Sequence, residues 1–257
     1  MPEPADNVLQ RELDYHEKLY SGFAQRHFAR PAVRALRRHM VSRILRLTGA
    51  GPKSRVLSLG CGIGDTELLL APHVGEVVGV DLSPTAIHQA RADAARLDVT
   101  NARFEQGTGA EGRYDAAIAI FFLHHLPDAE LTALPARLRE LLAPGGVFYS
   151  LDPSARRLSG RVGRLLIPKL MKRYQTPDEH ELDPERTGGL FRRAGFEASV
   201  STYDFGSSPL AGLLPGWRAG YRAARALDDL LLRAAPFRRL GSNFEIVARS
   251  GLTTPAR

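Results

Sequence analysis

Between residues 55 and 151 the chain alternates short apolar runs with helix-like stretches, and this rhythm constrains the fold more than any other feature. RVLSLG (55–60), EVVGVD (76–81), ARFEQG (102–107), YDAAIAIFFL (114–123) and residues 147–151 have the length and bounding turn residues of strands. Residues 66–70, 83–97 and 129–142 read as helices between them, with Ser83 as an N-cap and Pro84 at the first helical position. Pro144-Gly145-Gly146 marks a turn before the fifth strand. Strands separated by helices are joined by crossovers, which favours a parallel α/β sheet with helices on both faces. The rhythm resumes with a helix at 184–194, capped by Asp183, and strands at 196–205 and 242–249.

Two segments interrupt it. Residues 153–183 and 206–241 are too long for ordinary loops and are expected to carry structure of their own. Before the first strand, residues 8–47 read as helical, with Phe28, Val33, Leu36, Met40, Ile44 and Leu47 at helix-like spacing and Pro31 opening a new helix. Both interruptions leave the carboxyl edge of such a sheet, and the N-terminal helices can fold over that edge too. The expected organisation is an N-terminal helical lid segment at 1–54 and a main domain at 55–250, with substrate-cap inserts at 153–183 and 206–241. The chain has 257 residues, 44% hydrophobic and 25% charged, which is ordinary for a globular protein and excludes collagen, coiled coil or global disorder. The single cysteine, Cys61, excludes an internal disulfide. MPEPADNVLQREL at the start lacks an apolar core, and no run of 18 apolar residues exists, so a cytoplasmic location is expected.

VLSLGCGIGD places Gly60, Gly62 and Gly64 at the end of the first strand, where a glycine turn lets a ligand approach the backbone closely. Asp81 ends the second strand, 17 residues after Gly64, where an acid can accept hydrogen bonds from both ribose hydroxyls of a nucleoside. A dinucleotide site needs G-x-G-x-x-G, but here Asp65 holds the third glycine position. A carboxylate there would repel a pyrophosphate. A nucleoside cofactor without phosphates fits better, and S-adenosylmethionine (SAM) is one.

On these residues the chain resembles the class I SAM-dependent methyltransferases, the broad group that acts on small molecules and lipids. The resemblance implies a Rossmann-like, doubly wound seven-stranded sheet with N-terminal helices and two helical inserts forming a lid. VLSLGCGIGD resembles the family's first motif, so Gly60, Cys61, Gly62 and Gly64 are expected to pass under the methionine part of SAM. VVGVDLS (77–83) resembles the second, which implies that Asp81 holds the ribose and Leu82 lies on the adenine. RFEQGTG (103–109) implies that Gly107, Thr108 and Gly109 line the adenine edge. YDAAIAIFFLHHLPD (114–128) resembles the fourth motif, so Ile120 and Phe121 are expected to face the methionine and the transferred methyl. LRELLAPGGVF (138–148) resembles the helix, turn and fifth strand. Ser58 departs from the pattern: the family usually has there an acid that orders the methionine ammonium. Thr108 departs as well, standing where an aspartate often contacts the adenine amine.

Transfer from an activated donor is mostly a matter of positioning, and a base is needed only for a weakly acidic or protonated acceptor. His124 and His125, after the fourth strand, are the candidate bases; the alternative is that the pair packs near the cofactor. Asp152 is a candidate for orienting an acceptor, His180 for approaching from the cap, and Tyr15, His16 and Tyr20 for closing over the cofactor. Cys61 is not expected to be a nucleophile, and no metal is expected. The net charge is +7, with 31 of the 35 basic residues arginine. Bases run without an acid from 155 to 173 and from 26 to 46, a pattern that fits an acidic greasy substrate, peripheral membrane contact or a solvated face. Leu210, Leu213, Leu214, Trp217, Tyr221, Leu227 and Leu230–Leu232 offer an apolar face beside Arg218, Arg222 and Arg225, suited to a pocket or a homodimer. The leading expectation is methyl transfer to a small, apolar or lipid-like acceptor at O, N or C. The alternatives are an RNA methyltransferase and a non-catalytic SAM-binding protein. No nucleic acid is expected as partner, because IFFLHH lacks the Asn/Asp-Pro-Pro-aromatic grip on a flipped base and no RNA-binding module is visible.

Overall fold

Parallel strands in register carry the glycine loop. The computed structural model describes Glu17 and residues 27–109, 111–157, 182–234 and 240–251. Seven strands form one sheet in the order β3-β2-β1-β4-β5-β7-β6. They are β1 (Arg55–Leu59), β2 (Glu76–Asp81), β3 (Ala102–Gln106), β4 (Tyr114–Ile120), β5 (Leu142–Pro153), β6 (Phe196–Asp204) and β7 (Asn243–Ser250). The first five pair in parallel, while β7 runs antiparallel to both β5 and β6. The sheet order reverses between β1 and β4, and a cleft opens there at the carboxyl ends. The antiparallel strand follows from the second insert: β6 ends on the carboxyl edge and β7 starts there, Asp204 standing opposite Asn243.

Alternate residues of each strand feed two cores, as a period of two requires. Leu57, Ala117, Phe148 and Ile246 pack on one face with Leu134 and Leu138 of α4 (Asp128–Leu141) and Phe191 of α5 (Pro184–Arg193). Val56, Ile118, Tyr149 and Leu151 pack on the other with α1 (Pro31–Thr48). Pro31 opens α1, and Gly49 ends it in a left-handed conformation, φ 75°. Ala32, Leu36, Met40 and Ile44 form its buried stripe. Arg34, Arg38 and Arg46 form an exposed stripe, as on a solvated face. Arg37 and Arg43 turn inward and stand apart from that stripe. Arg37 Nε lies 2.7 Å from Asp65 Oδ2, and Arg43 grips the buried Glu245 through both carboxylate oxygens.

Two boundaries differ from expectation. The fourth strand ends at Ile120 rather than at 123, because Phe121 turns into the left-handed region, φ 54°. The Pro-Gly-Gly turn does not precede the fifth strand but bulges out of it: Tyr114 faces Leu142 and Ala116 faces Val147, so four residues loop out between. The second insert forms α6 (Ser207–Leu213) and α7 (Arg218–Leu231). Asp228 accepts from the N–H groups of Gly206 and Ser207 at 3.1 and 2.9 Å and ties α7 to the start of α6. Arg225 does not stand on a free stripe beside Arg218 and Arg222. It is buried, donating to the Tyr203 carbonyl at 3.1 Å and to Asp229 at 2.8 Å. Leu213, Leu214, Trp217, Leu227 and Leu230 are exposed. The two ends of the first insert meet, Ala155 N donating to Leu182 O at 2.9 Å. Its middle, with Arg161, Lys169 and His180, lies outside the described residues, as do Tyr15, His16 and Tyr20. No described helix is long and apolar enough to cross a membrane.

Glu245 is 1% exposed and also receives Tyr149 Oη at 3.2 Å and Ser201 Oγ at 2.7 Å. Replacing Arg43 by Ala leaves this acid without its cation, and the remaining hydroxyls compensate only in part. Urea unfolding is expected to show a loss of about 3 kcal/mol.

Candidate active site

The loop after β1 turns on three left-handed glycines, Gly60 (φ 63°), Gly62 (φ 53°) and Gly64 (φ 76°). A Cβ at Gly60 would stand 2.2 Å from the Phe122 ring, and one at Gly64 2.8 Å from Phe104, so neither position admits a side chain without movement. Asp81 fixes the loop. Its Oδ2 accepts from Gly62 N at 2.8 Å and its Oδ1 from Ser83 N at 2.9 Å. Ser83 in turn caps α3 (Pro84–Arg96), its hydroxyl accepting from Ala86 N at 3.0 Å.

Two cavities flank this loop. One, of about 490 Å³, is lined by Asp81, Leu82, Ser83, Gly107, Thr108, Phe122 and Leu126 among others. Glu17 reaches its rim, accepting hydrogen bonds from the hydroxyls of Ser83 and Thr85. Arg137 of α4 also lines this cavity and donates to the Thr108 carbonyl. The other cavity, of about 320 Å³, lies against Cys61, Gly62, Thr66, Glu67 and Ile120, with Phe28 and Arg37 on one side and Ser208 and Gly212 of α6 on another. Gly60, Phe121 and His125 border both. A left-handed conformation at a bulky residue costs about 1 kcal/mol or more. At Phe121 it is held by the hydrogen bond from its N–H to Leu151 O at 2.7 Å, and it sets the ring at the junction of the cavities.

The turn after β4 separates the two histidines. His124 is buried, and its Nδ1 lies 2.9 Å from Asp152 Oδ1 at the end of β5. Asp152 is wholly buried and lines neither cavity, its carboxylate meeting His124. His125 is half-buried, its ring centroid 4.0 Å from that of His124. Of the expected site residues, Gly64, Gly109 and His124 line neither cavity; Gly64 instead lets the loop close on Phe104 and Ala90. Burial pushes the Cys61 thiol well up, with Glu67 and Asp81 adding to the effect, so the thiol stays neutral.

Sequence reasoning passed over Glu67, the first residue of α2 (Glu67–Leu70). It is 2% exposed and accepts from Ser58 Oγ at 2.6 Å. Its burial, aided by Asp65 and opposed by the Ser58 hydrogen bond, pushes its carboxyl up to about 7. The signal was the missing acid at Ser58. Arg37 was also missed as a site residue, because a helix of arginines reads as solvated. The donor set suits SAM: a carboxylate fixed by backbone for ribose hydroxyls, a glycine loop without room for side chains, and a second cavity whose arginine is engaged by Asp65.

Residues 56–146 match a model of the methyltransferase domain family. Trans-aconitate 2-methyltransferase of Methylobacterium radiotolerans is 33% identical over 214 residues, 72% of this chain and 81% of that protein. The ubiquinone biosynthesis O-methyltransferase of Bordetella avium is 27% identical, over 76% of this chain and 84% of its own. Among solved structures, magnesium protoporphyrin IX methyltransferase from Synechocystis with bound S-adenosylhomocysteine superposes with a TM-score of 0.63. That match is 17% identical and covers 93% of this chain and 98% of the other, a likeness of fold. Sequence and fold thus agree with the glycine loop and its acid: the chain belongs to the class I SAM-dependent methyltransferases, and SAM is its cofactor.

Proposed function

We propose that the protein transfers the methyl group of SAM to a small, largely apolar acceptor at O, N or C. The observation that carries this reading is the junction at Phe121 and His125, which joins the Asp81 cavity to one walled by α1 and α6. In this reading Asp81, Leu82, Gly107 and Thr108 hold the nucleoside, and Gly60, Cys61, Gly62, Ile120 and Phe121 hold the methionine end. Residues 1–54 and the inserts at 153–183 and 206–241 cover the acceptor. The relatives named for trans-aconitate and ubiquinone biosynthesis act, by those names, in small-molecule chemistry, which supports an acceptor of that class. No nucleic acid is needed as partner, since the exposed arginines of α1 form a stripe on its outer face rather than a lining of the junction.

Bound SAM supplies a methyl group already activated on a sulfonium. The chain's part is to align it, exclude water and manage a proton. Phe28, Ile120 and Phe121 furnish the apolar wall that excludes water. His125, at the junction, takes the proton of a hydroxyl or ammonium acceptor. His124, fixed by Asp152, supports the His125 ring as a positioning residue. The exposed leucines and Trp217 lie outside both cavities, so the expected apolar face serves contact with a second copy rather than acceptor lining.

Replacing Asp81 by Ala removes a charged acceptor for the ribose and is expected to weaken SAM binding by about 1.5–3 kcal/mol in calorimetry. Tighter binding of NADH than of SAM to the unaltered protein would contradict the cofactor assignment. His125→Ala is expected to lower the turnover rate roughly 100-fold or more on a hydroxyl acceptor while leaving SAM affinity nearly unchanged. Full turnover in that variant would leave positioning as the whole mechanism. Replacing Leu214 and Trp217 together by Ala is expected to alter sedimentation but not acceptor affinity; the reverse result would return this face to the substrate site.

A further inference from the structure

Glu67 carries a buried carboxylate oxygen that no described residue hydrogen-bonds. Ser58 holds Oε1 at 2.6 Å, while Oε2 is buried and without a hydrogen-bond partner among the described residues. An ionised oxygen in that position is strongly unfavourable unless a cation or donor meets it. Arg37 reaches the same cavity, but Asp65 engages its Nε at 2.7 Å and Thr66 Oγ1 lies 3.1 Å from its Nη1. Glu67 lines the cavity on the far side of Gly60 from Asp81. A nucleoside held by Asp81 therefore extends its amino-acid end across Gly60 toward Glu67. The donor that end carries is an α-ammonium.

We infer that Glu67 receives the α-ammonium of SAM on Oε2, with the Ser58 hydroxyl holding the carboxylate in place through Oε1. The inference rests on the cofactor placement proposed above and adds a residue to it. Ser58 brings no charge, yet the site does not lack one. The acid stands across one hydrogen bond, on the helix instead of the strand. An ammonium is also the ligand group best suited to this acid, because it brings both the charge and the donors that Oε2 lacks.

The pairing makes cofactor affinity depend on pH. The charged and titratable groups around Glu67 are Asp65 and Arg37 at the helix entrance, Cys61 and Asp81 on the loop side, and His27 and His125 across the cavity. Burial holds the unliganded Glu67 carboxyl near 7, so part of it is protonated at neutrality. Binding an ammonium favours the ionised form and releases that proton. Affinity therefore falls as the pH drops through this range and levels off above it.

Calorimetry on the full chain can test this with two product-like ligands, S-adenosylhomocysteine, which has the ammonium, and 5′-methylthioadenosine, which lacks the whole amino-acid end. Glu67→Gln is expected to weaken S-adenosylhomocysteine about 10- to 100-fold at about pH 8 and methylthioadenosine less than about twofold. In the unaltered protein, S-adenosylhomocysteine affinity is expected to fall about tenfold between about pH 8 and about pH 6, and the variant's profile to be flat. Equal losses for both ligands would make Glu67 a residue of the fold. Unchanged S-adenosylhomocysteine affinity in the variant, or a pH profile shared by methylthioadenosine, would place the ammonium elsewhere. Failure of the unaltered protein to bind either ligand would instead overturn the cofactor placement itself.

Discussion

The Asp81 carboxylate joins three parts of the molecule that would otherwise be independent. One oxygen takes the N–H of Gly62 and so shapes the loop after β1; the other takes the N–H of Ser83 and so fixes the start of α3. The parallel register of β1 and β2 brings these groups together, Leu59 standing opposite Val80 and the two strand ends finishing level. Glycines weaken a loop entropically, and this loop holds three in the left-handed region. Asp81 restrains that freedom while keeping lone pairs directed at the cavity. In the proposed placement of the cofactor, fold and recognition depend on the same carboxylate, and a substitution there acts on both.

Much of the fold was legible because its signals are local and repeated. Five of the seven strands lie within a residue of the periodic runs, and Ser83 and Asp183 cap helices as their type suggests. The overrun of β4 has a clear cause: IFFL continues the apolar run without a glycine or proline, while the chain turns at Phe121. A left-handed phenylalanine is stabilised by tertiary contacts and leaves no mark in the sequence. Arg225 misled for a related reason. On a helical wheel it belongs beside Arg218 and Arg222, but it is buried and donates to the Tyr203 carbonyl, 22 residues away, as well as to Asp229 one turn on. Buried ionic groups are recognised by their partners, and partners distant in sequence are invisible to periodicity.

The site divides along the same line. The glycine loop, Asp81 and the turn after β4 are contiguous motifs, and the cavities gather them. His124 and His125 are adjacent in sequence, yet the helical turn sends one toward Asp152 and leaves the other at the junction. Only the fold separates their roles. Arg37, Ser208 and Gly212 come from segments before and after the motif region, so no spacing rule connects them with the loop. Glu67 sits among apolar residues in a run that reads as a core-packed helix, where an acid is expected on the outer face rather than beside Ser58.

Three carboxylates surround the glycine loop: Asp65, Glu67 and Asp81. Arg37 offsets the first, which leaves the interior acidic in a protein whose net charge is positive. That field distinguishes cofactors without any contact to the reacting atoms, because it opposes phosphates and favours a ligand bearing a sulfonium and an ammonium. It also distinguishes the two ends of the reaction. Methyl transfer turns the sulfonium into a neutral thioether, so one of the two positive groups that the acids attract disappears at the moment of turnover. In the proposed placement, the ionised acids attract the methyl donor more strongly than its neutral thioether product. Arg37, paired with Asp65, brings the N-terminal helix to the edge of this cluster, although it lies outside the motif region.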